Sequence, residues 1–342
     1  MSSCFNKEMS KRERPRVLLR ADAGSSIGFG HYVRTCALGG YLCEDFECIL
    51  VSRNPDLGLP SDYQRELATS SGLTIMEVAA KSRENFDPAF LDLIEADDIV
   101  VLDNYYYDTP YMTEVKSRCR ALVCIDDMHD RHFPADMVMT FCPLTREQFS
   151  MKPEAKFVGG MEWSFLRAPF LKPQMQRNYT GQTPKHIALA MGGADPLGLT
   201  NKIVRLLHKI DASLQIDVLA GQTVKIDFEE DARLRVHRQA SAEEIADMFD
   251  RCDLGIFPAS TVCVEAFSRG LPVAAGFFVD NQEEIYAYGV KHGWLTPLGD
   301  LTKSDDMLRP LLQKALATPL SPAPAFDFAA RRRDIVNLFR KL

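Results

Sequence analysis

The stretch Val17-Leu18-Leu19-Arg20-Ala21-Asp22-Ala23-Gly24-Ser25-Ser26-Ile27-Gly28-Phe29-Gly30-His31 decides the fold. Its first four residues form a short apolar run that predicts a buried strand. Asp22 to Gly30 is rich in glycine and predicts a turn. From His31 onward Val33, Ala37, Leu38 and Leu42 fall on one side, which predicts a helix. Strand, glycine turn and helix make the opening unit of a doubly wound α/β sheet. Cys48-Ile49-Leu50-Val51, Ile99-Val100-Val101-Leu102 and Ala121-Leu122-Val123-Cys124-Ile125 continue it as buried parallel strands.

The same opening recurs further along. His186-Ile187-Ala188-Leu189-Ala190-Met191 predicts a strand, Gly192-Gly193-Ala194-Asp195 a turn, and residues 199–209 a helix. Ile216-Asp217-Val218-Leu219 and Leu254-Gly255-Ile256-Phe257 extend the second sheet. The expected class is α/β, with two Rossmann-like domains facing a central cleft. Residues 16–171 form the first, 172–185 a linker and 186–325 the second, while a helix over 326–342 packs back on the first domain. With 342 residues, two domains match the usual domain size.

Composition narrows the function. A net charge of −7 argues against a nucleic-acid partner, which calls for a basic face, but leaves room for an anionic small molecule. The nine cysteines are scattered without a CxxC pair, which points to reduced thiols in a cytoplasmic protein rather than a disulfide framework. Residues 1–16 lack the apolar core of a signal peptide, and no run of 18 apolar residues predicts a membrane span. The expectation is a cytoplasmic monomer without stable membrane insertion.

In doubly wound sheets ligands meet the carboxyl ends of the strands, so the loops there are the candidate site. Gly28 and Gly30 let a ligand approach the backbone, and the following helix end suits an anion. The spacing is neither the dinucleotide fingerprint nor a P-loop. His31 opens the helix, where it is placed either as a general base facing the cleft or as a plain capping residue. Asp103-Asn104-Tyr105-Tyr106-Tyr107-Asp108 follows a strand, either as ligand contacts or as a tyrosine-rich loop. Asp126-Asp127-Met128-His129-Asp130-Arg131-His132 holds metal-ligand types, yet sequential neighbours rarely all point inward, so no metal is expected. In the second half, Gly192-Gly193 can cradle a phosphate, Ser260 caps a helix whose N–H groups begin at Thr261, and Glu265 can accept from a ribose diol. Asn281 and Gln282 offer amides to sugar or phosphate oxygens.

Together these residues resemble one family. Arg20-Ala21-Asp22 with Ile27-Gly28-Phe29-Gly30-His31 and Arg34 is similar to the opening of the UDP-sugar hydrolases of pseudaminic acid synthesis. So are Asp103-Asn104-Tyr105, Ile125-Asp126-Asp127, Leu166-Arg167, Met191-Gly192-Gly193-Ala194-Asp195, Ala259-Ser260 with Glu265, and Asn281-Gln282, in matching order along most of residues 16–300. The resemblance implies the GT-B fold, related to the transferase that completes lipid II. It implies that water displaces UDP from the anomeric carbon of a 2,4-diacetamido-2,4,6-trideoxy sugar with inversion, without metal or cofactor. Carried over, His31 is the base and Tyr105 places substrate or water. Arg20, Asp22, Gly28, Gly30, Arg34, Asp103, Asn104 and Asp127 line the substrate side. Gly192, Gly193, Asp195, Ser260, Thr261, Glu265, Asn281 and Gln282 line the nucleotide side. The rival reading is a glycosyltransferase of the same fold using a UDP-sugar donor, with Lys11-Arg12-Glu13-Arg14-Pro15-Arg16 touching membrane phosphates. A third is a nucleotide-sugar binding module without chemistry.

Overall fold

The computed structural model describes residues 14–24, 28–53, 61–78, 87–174, 177, 179 and 182–342. Ser25, Ser26 and Ile27 of the glycine turn, and Lys11 to Glu13 of the basic lead-in, lie outside the described residues.

Among the described residues, the first half holds the strands β1 (Arg16–Ala21), β2 (Glu47–Ser52), β3 (Thr74–Glu77), β4 (Ile99–Asp103), β5 (Ala121–Ile125), β6 (His132–Phe133), β7 (Met137–Thr140), β8 (Ser150–Met151) and β9 (Lys156–Gly159). Helices α1 (Gly30–Leu42), α2 (Asp62–Ser70), α3 (Pro88–Leu91) and α4 (Thr109–Arg118) lie between them. The second half holds β10 (His186–Ala190), β11 (Gln215–Ala220), β12 (Leu234–Arg238), β13 (Leu254–Pro258), β14 (Val273–Phe277) and β15 (Leu295–Asp300). Its helices are α5 (Leu199–Ile210), α6 (Ala242–Arg251), α7 (Thr261–Ser268), α8 (Glu283–Lys291) and α9 (Asp305–Ala317), and α10 (Phe328–Phe339) ends the chain.

Two large parallel sheets result, beside a two-stranded one of β6 and β8. Among the described residues one has the order β3-β2-β1-β4-β5-β7-β9 and the other β12-β11-β10-β13-β14-β15. Both reverse direction beside their first strand, between β1 and β4 and between β10 and β13. Such a switch point opens a crevice at the carboxyl ends of the two strands. The loops after β1, β4, β10 and β13 therefore border that crevice, and they are among those the sequence singles out.

The central strands β1, β4, β5 and β13 are buried at every position, which is why they read as continuous apolar runs. The last helix crosses back: Ile335, Val336 and Phe339 join the core of the first half with Leu19, Leu38 and Leu42. Arg331 lies over the Trp163 ring, and Arg340 pairs with Asp45 at 2.7 Å. Of the lead-in, Arg16 is occupied by a buried bidentate pair with Asp98, at 2.7 and 2.6 Å. The eight described cysteines are free thiols, all buried except Cys43. No helix among the described residues is long and apolar enough to cross a membrane.

One close approach fixes the second glycine turn. A Cβ added to Gly221 would lie 1.8 Å from the Gly193 carbonyl oxygen, so the loop after β11 lies directly against the loop after β10. Gly221→Ala is expected to push that turn out of place and to cost about 1–3 kcal/mol, read as a lowered urea midpoint.

Candidate active site

His31 is the second residue of α1, and Asp103 ends β4, so the switch point brings them together. His31 Nδ1 lies 2.6 Å from Asp103 Oδ1. Arg34, one turn along the helix, donates to both oxygens of the same carboxylate, Nε at 2.6 Å and Nη2 at 2.5 Å. Thr35 Oγ1 adds a fourth bond at 2.9 Å. Burial pushes Asp103 up, but Arg34 and His31 outweigh it and hold the carboxyl down at about 2. An ionised Asp103 assigns the proton of the neutral imidazole to Nδ1. Arg34 Nη2 also lies 2.9 Å from that nitrogen, but the Asp103 oxygen is the closer partner, at 2.6 Å, and takes the Nδ1 proton. Nε2 then keeps its lone pair.

Around this dyad, the Tyr105 ring stands edge-on to His31 with centroids 4.3 Å apart. Its hydroxyl accepts from Asn281 Nδ2 at 3.4 Å, a contact from the second half. Burial and the neighbouring Asp127 raise the Tyr105 phenol, so it stays protonated. Asp127 Oδ2 accepts from Arg34 Nη1 at 3.3 Å. Asp127 Oδ1 and Asn104 Nδ2 are buried without a hydrogen-bond partner. Asp126 turns the other way and accepts from the backbone N–H groups of Met128 and His129, at 2.8 and 2.7 Å. Burial raises its carboxyl to about 6.

The glycine turn closes on itself: Gly28 N donates to Gly24 O at 2.8 Å, and Gly28 has φ +77°. Among the described residues, a Cβ at Gly28 or Gly30 would meet nothing within 4 Å. Phe29 at the N-cap gives no side-chain cap and the first turn of α1 has no acid, which leaves a positive helix end there.

Arg20 and Asp22 sit deeper. Both are fully buried and paired with each other. Arg20 also bonds Asp87 at 3.0 Å, and Asp22 accepts from Arg53 Nε at 3.2 Å and from the Tyr106 hydroxyl. Their charges are spent within this network, which forms the floor beneath the turn. Arg53 and Asp87 were not singled out from the sequence, and Tyr106, part of the 103–108 loop that was, was not linked to Asp22.

In the second half Gly192 has φ +86°, and neither it nor Gly193 has anything within 4 Å of an added Cβ. Asp195 is occupied as the cap of α5, accepting from Leu199 N and Thr200 N at 2.8 Å each. Ser260 is the N-cap of α7, yet its hydroxyl makes no cap bond, and no acid lies in the first turn that Thr261 opens. Gln282 Oε1 is taken by Phe278 N at 3.0 Å. Glu265 Oε1 accepts from Arg167 Nε and Nη2 at 3.0 and 2.8 Å, a bridge from the segment that precedes the second half. His129 Nε2 lies 3.5 Å from Glu284, a further crossing that sequence reading missed.

A cavity of about 860 Å³ lies beside that bridge. Arg167 and Leu166 line it, with Tyr63 on α2, Val33 and Ala37 on the side of α1 away from His31, and Gln239 and Ser241 after β12.

No family model matches the chain. An uncharacterised protein of Methanocaldococcus jannaschii is 21% identical over 294 residues, which is 79% of this chain and 57% of that protein. The chain thus spans little more than half of that relative's length. Among solved structures, a Listeria monocytogenes protein described as a UDP-N-acetylglucosamine 2-epimerase superposes with a TM-score of 0.61 at 13% identity, covering 97% of this chain and 98% of its own. Acinetobacter baumannii MurG gives 0.55 at 15% identity, covering 96% and 100%. S. aureus MnaA, solved with UDP, gives 0.57 at 10% identity, covering 96% and 98%. These likenesses show the fold: two parallel-sheet α/β domains of GT-B type.

Proposed function

We propose that the protein hydrolyses a UDP-linked, acetamido-bearing deoxy sugar at its anomeric carbon. The observation that carries the reading is His31, whose Nδ1 is held by an ionised Asp103. A neutral imidazole so oriented presents Nε2 as a base at the point where two switch points face each other. Water attacks the anomeric carbon, and its proton passes to Nε2. The bond from that carbon to the diphosphate oxygen breaks, and UDP leaves with the electron pair. The uncapped start of α7 and the open Gly192-Gly193 turn receive the negative charge that grows on the leaving diphosphate. Tyr105, tied to Asn281, places the substrate and links the two halves at the reacting centre. The unpaired Asn104 Nδ2 and Asp127 Oδ1 supply one donor and one acceptor for the sugar.

The cavity beside Arg167 takes the nucleoside end, its volume lying within the ordinary range of ligand sites, about 300–1,000 Å³. Glu265 Oε1 is held by Arg167, which lines the cavity, and its second oxygen is the acceptor this reading gives to the ribose hydroxyls. Glu265→Gln is expected to weaken UDP binding by about tenfold or more, the loss of a charge-assisted bond, with kcat little changed. Calorimetric titration with UDP beside steady-state kinetics checks the split.

The test of the reaction class is UDP release from the UDP-linked diacetamido-trideoxy sugar with and without added acceptor alcohols. Hydrolysis gives free sugar at a rate independent of acceptor. Release that requires an acceptor, with the sugar attached to it, establishes the transferase instead. UDP binding with no turnover on either arm leaves a binding module.

A further inference from the structure

His186, Asp217, Cys252 and His237 converge in the second half, on groups that the proposed reaction does not use. His186 opens β10, Asp217 lies in β11, and Cys252 stands between α6 and β13. His186 Nε2 is 2.6 Å from Asp217 Oδ2, and His237 Nε2 is 2.7 Å from Asp217 Oδ1. The ligand atoms of His186, Asp217 and Cys252 all lie within 4.8 Å of one another. His186 lies at the amino end of β10 and Cys252 just before that of β13, the edge opposite Gly192-Gly193 and Ser260.

We infer that this cluster binds a zinc-class divalent cation, with His186 Nε2, an Asp217 oxygen and Cys252 Sγ as ligands. Nitrogen, carboxylate and thiolate together form the donor set of zinc sites rather than of magnesium or calcium sites. Tetrahedral bonds of about 2.0–2.3 Å place ligand atoms about 3.5 Å apart, so an ion entering between His186 and Asp217 opens their 2.6 Å contact by about an ångström, while the longer distances, up to 4.8 Å, close by about as much. His237, bonded to the second Asp217 oxygen, orients the carboxylate, as outer partners of metal ligands do. Cys252 and Asp217 are buried while the two imidazoles are partly open, which gives the ion an entry side. On binding, the Cys252 thiol gives its proton to solvent. The proton on His186 Nε2 moves to Nδ1, freeing the lone pair for the metal. The ion ties β10, β11 and the start of β13 together where the second half begins.

The test is a cobalt(II) titration of the chelator-stripped full chain. One equivalent per chain is expected to give the near-ultraviolet thiolate-to-cobalt charge-transfer band, displaced by zinc(II). Cys252→Ser removes the band, and His237→Gln weakens binding by about 10–100-fold. His186→Gln, which keeps the thiol, weakens binding as well and serves if the serine variant does not fold. No band at one equivalent overturns the site, as does a band unchanged in Cys252→Ser or affinity unchanged in His186→Gln.

Discussion

Replacing His31 with alanine is expected to lower kcat by about 10²–10⁴-fold, the span of a lost general base, while UDP affinity stays near that of the wild type. The separation follows from the geometry. His31 reaches Asp103, Arg34 and Tyr105 in the first half. The groups assigned to the nucleotide belong to the second half and to the cavity beside Arg167. The His31 side chain is only 14% exposed and packs on Tyr105, so the urea midpoint of the variant is read beside its kcat. A fall in UDP affinity equal to the fall in kcat would make His31 a binding residue and not the base.

The second large effect belongs to Asp103. Asp103→Asn keeps the shape but removes the charge that four donors share. The buried Arg34 guanidinium keeps only Asp127, at 3.3 Å, as its acidic partner. Breaking a buried pair from one side costs about 3–5 kcal/mol, so the urea midpoint should drop sharply. An amide can also accept from Arg34 while donating to His31 Nδ1, which moves the imidazole proton to Nε2 and removes the base. A kcat loss of about 10²–10⁴-fold with KM little changed is therefore expected where the variant is folded. Asp103 acts through His31, so it is a positioning residue.

The same group sets an acid limit. The folded carboxyl is depressed to about 2, against about 3.9 in an unfolded chain. Its contribution to stability is complete above about pH 4 and is lost as pH falls through about 2. Acid unfolding of the wild type should show that dependence, and Asp103→Asn should flatten it between those limits.

How much was legible follows from how local each signal is. Strands buried on both faces announce themselves as apolar runs, and residues 121–125 match β5 at both ends. The half-buried β3 and the mixed β12 and β15 lack such runs and were not assigned. Ser260 was legible as a cap position because it directly precedes a helix after a strand, although its hydroxyl is left without a cap bond. Pairings across sequence were not legible. Asp22 depends on Arg53 and Tyr106, 31 and 84 positions away. Glu265 meets Arg167, 98 positions before it. Nothing in the spacing marks such partners, since only the tertiary fold brings them together. The cavity was invisible for the same reason, because its walls come from α1, α2, the segment after Trp163 and the turn after β12.

The central claim is hydrolysis at the anomeric carbon by water activated at His31. Its most direct test is turnover of the UDP-linked diacetamido-trideoxy sugar in ¹⁸O-water, without acceptor and with excess chelator, beside His31→Ala. The account predicts UDP release with ¹⁸O on the sugar, lost in the variant. Label on the phosphate would contradict the site of cleavage, and full activity in the variant would contradict the base.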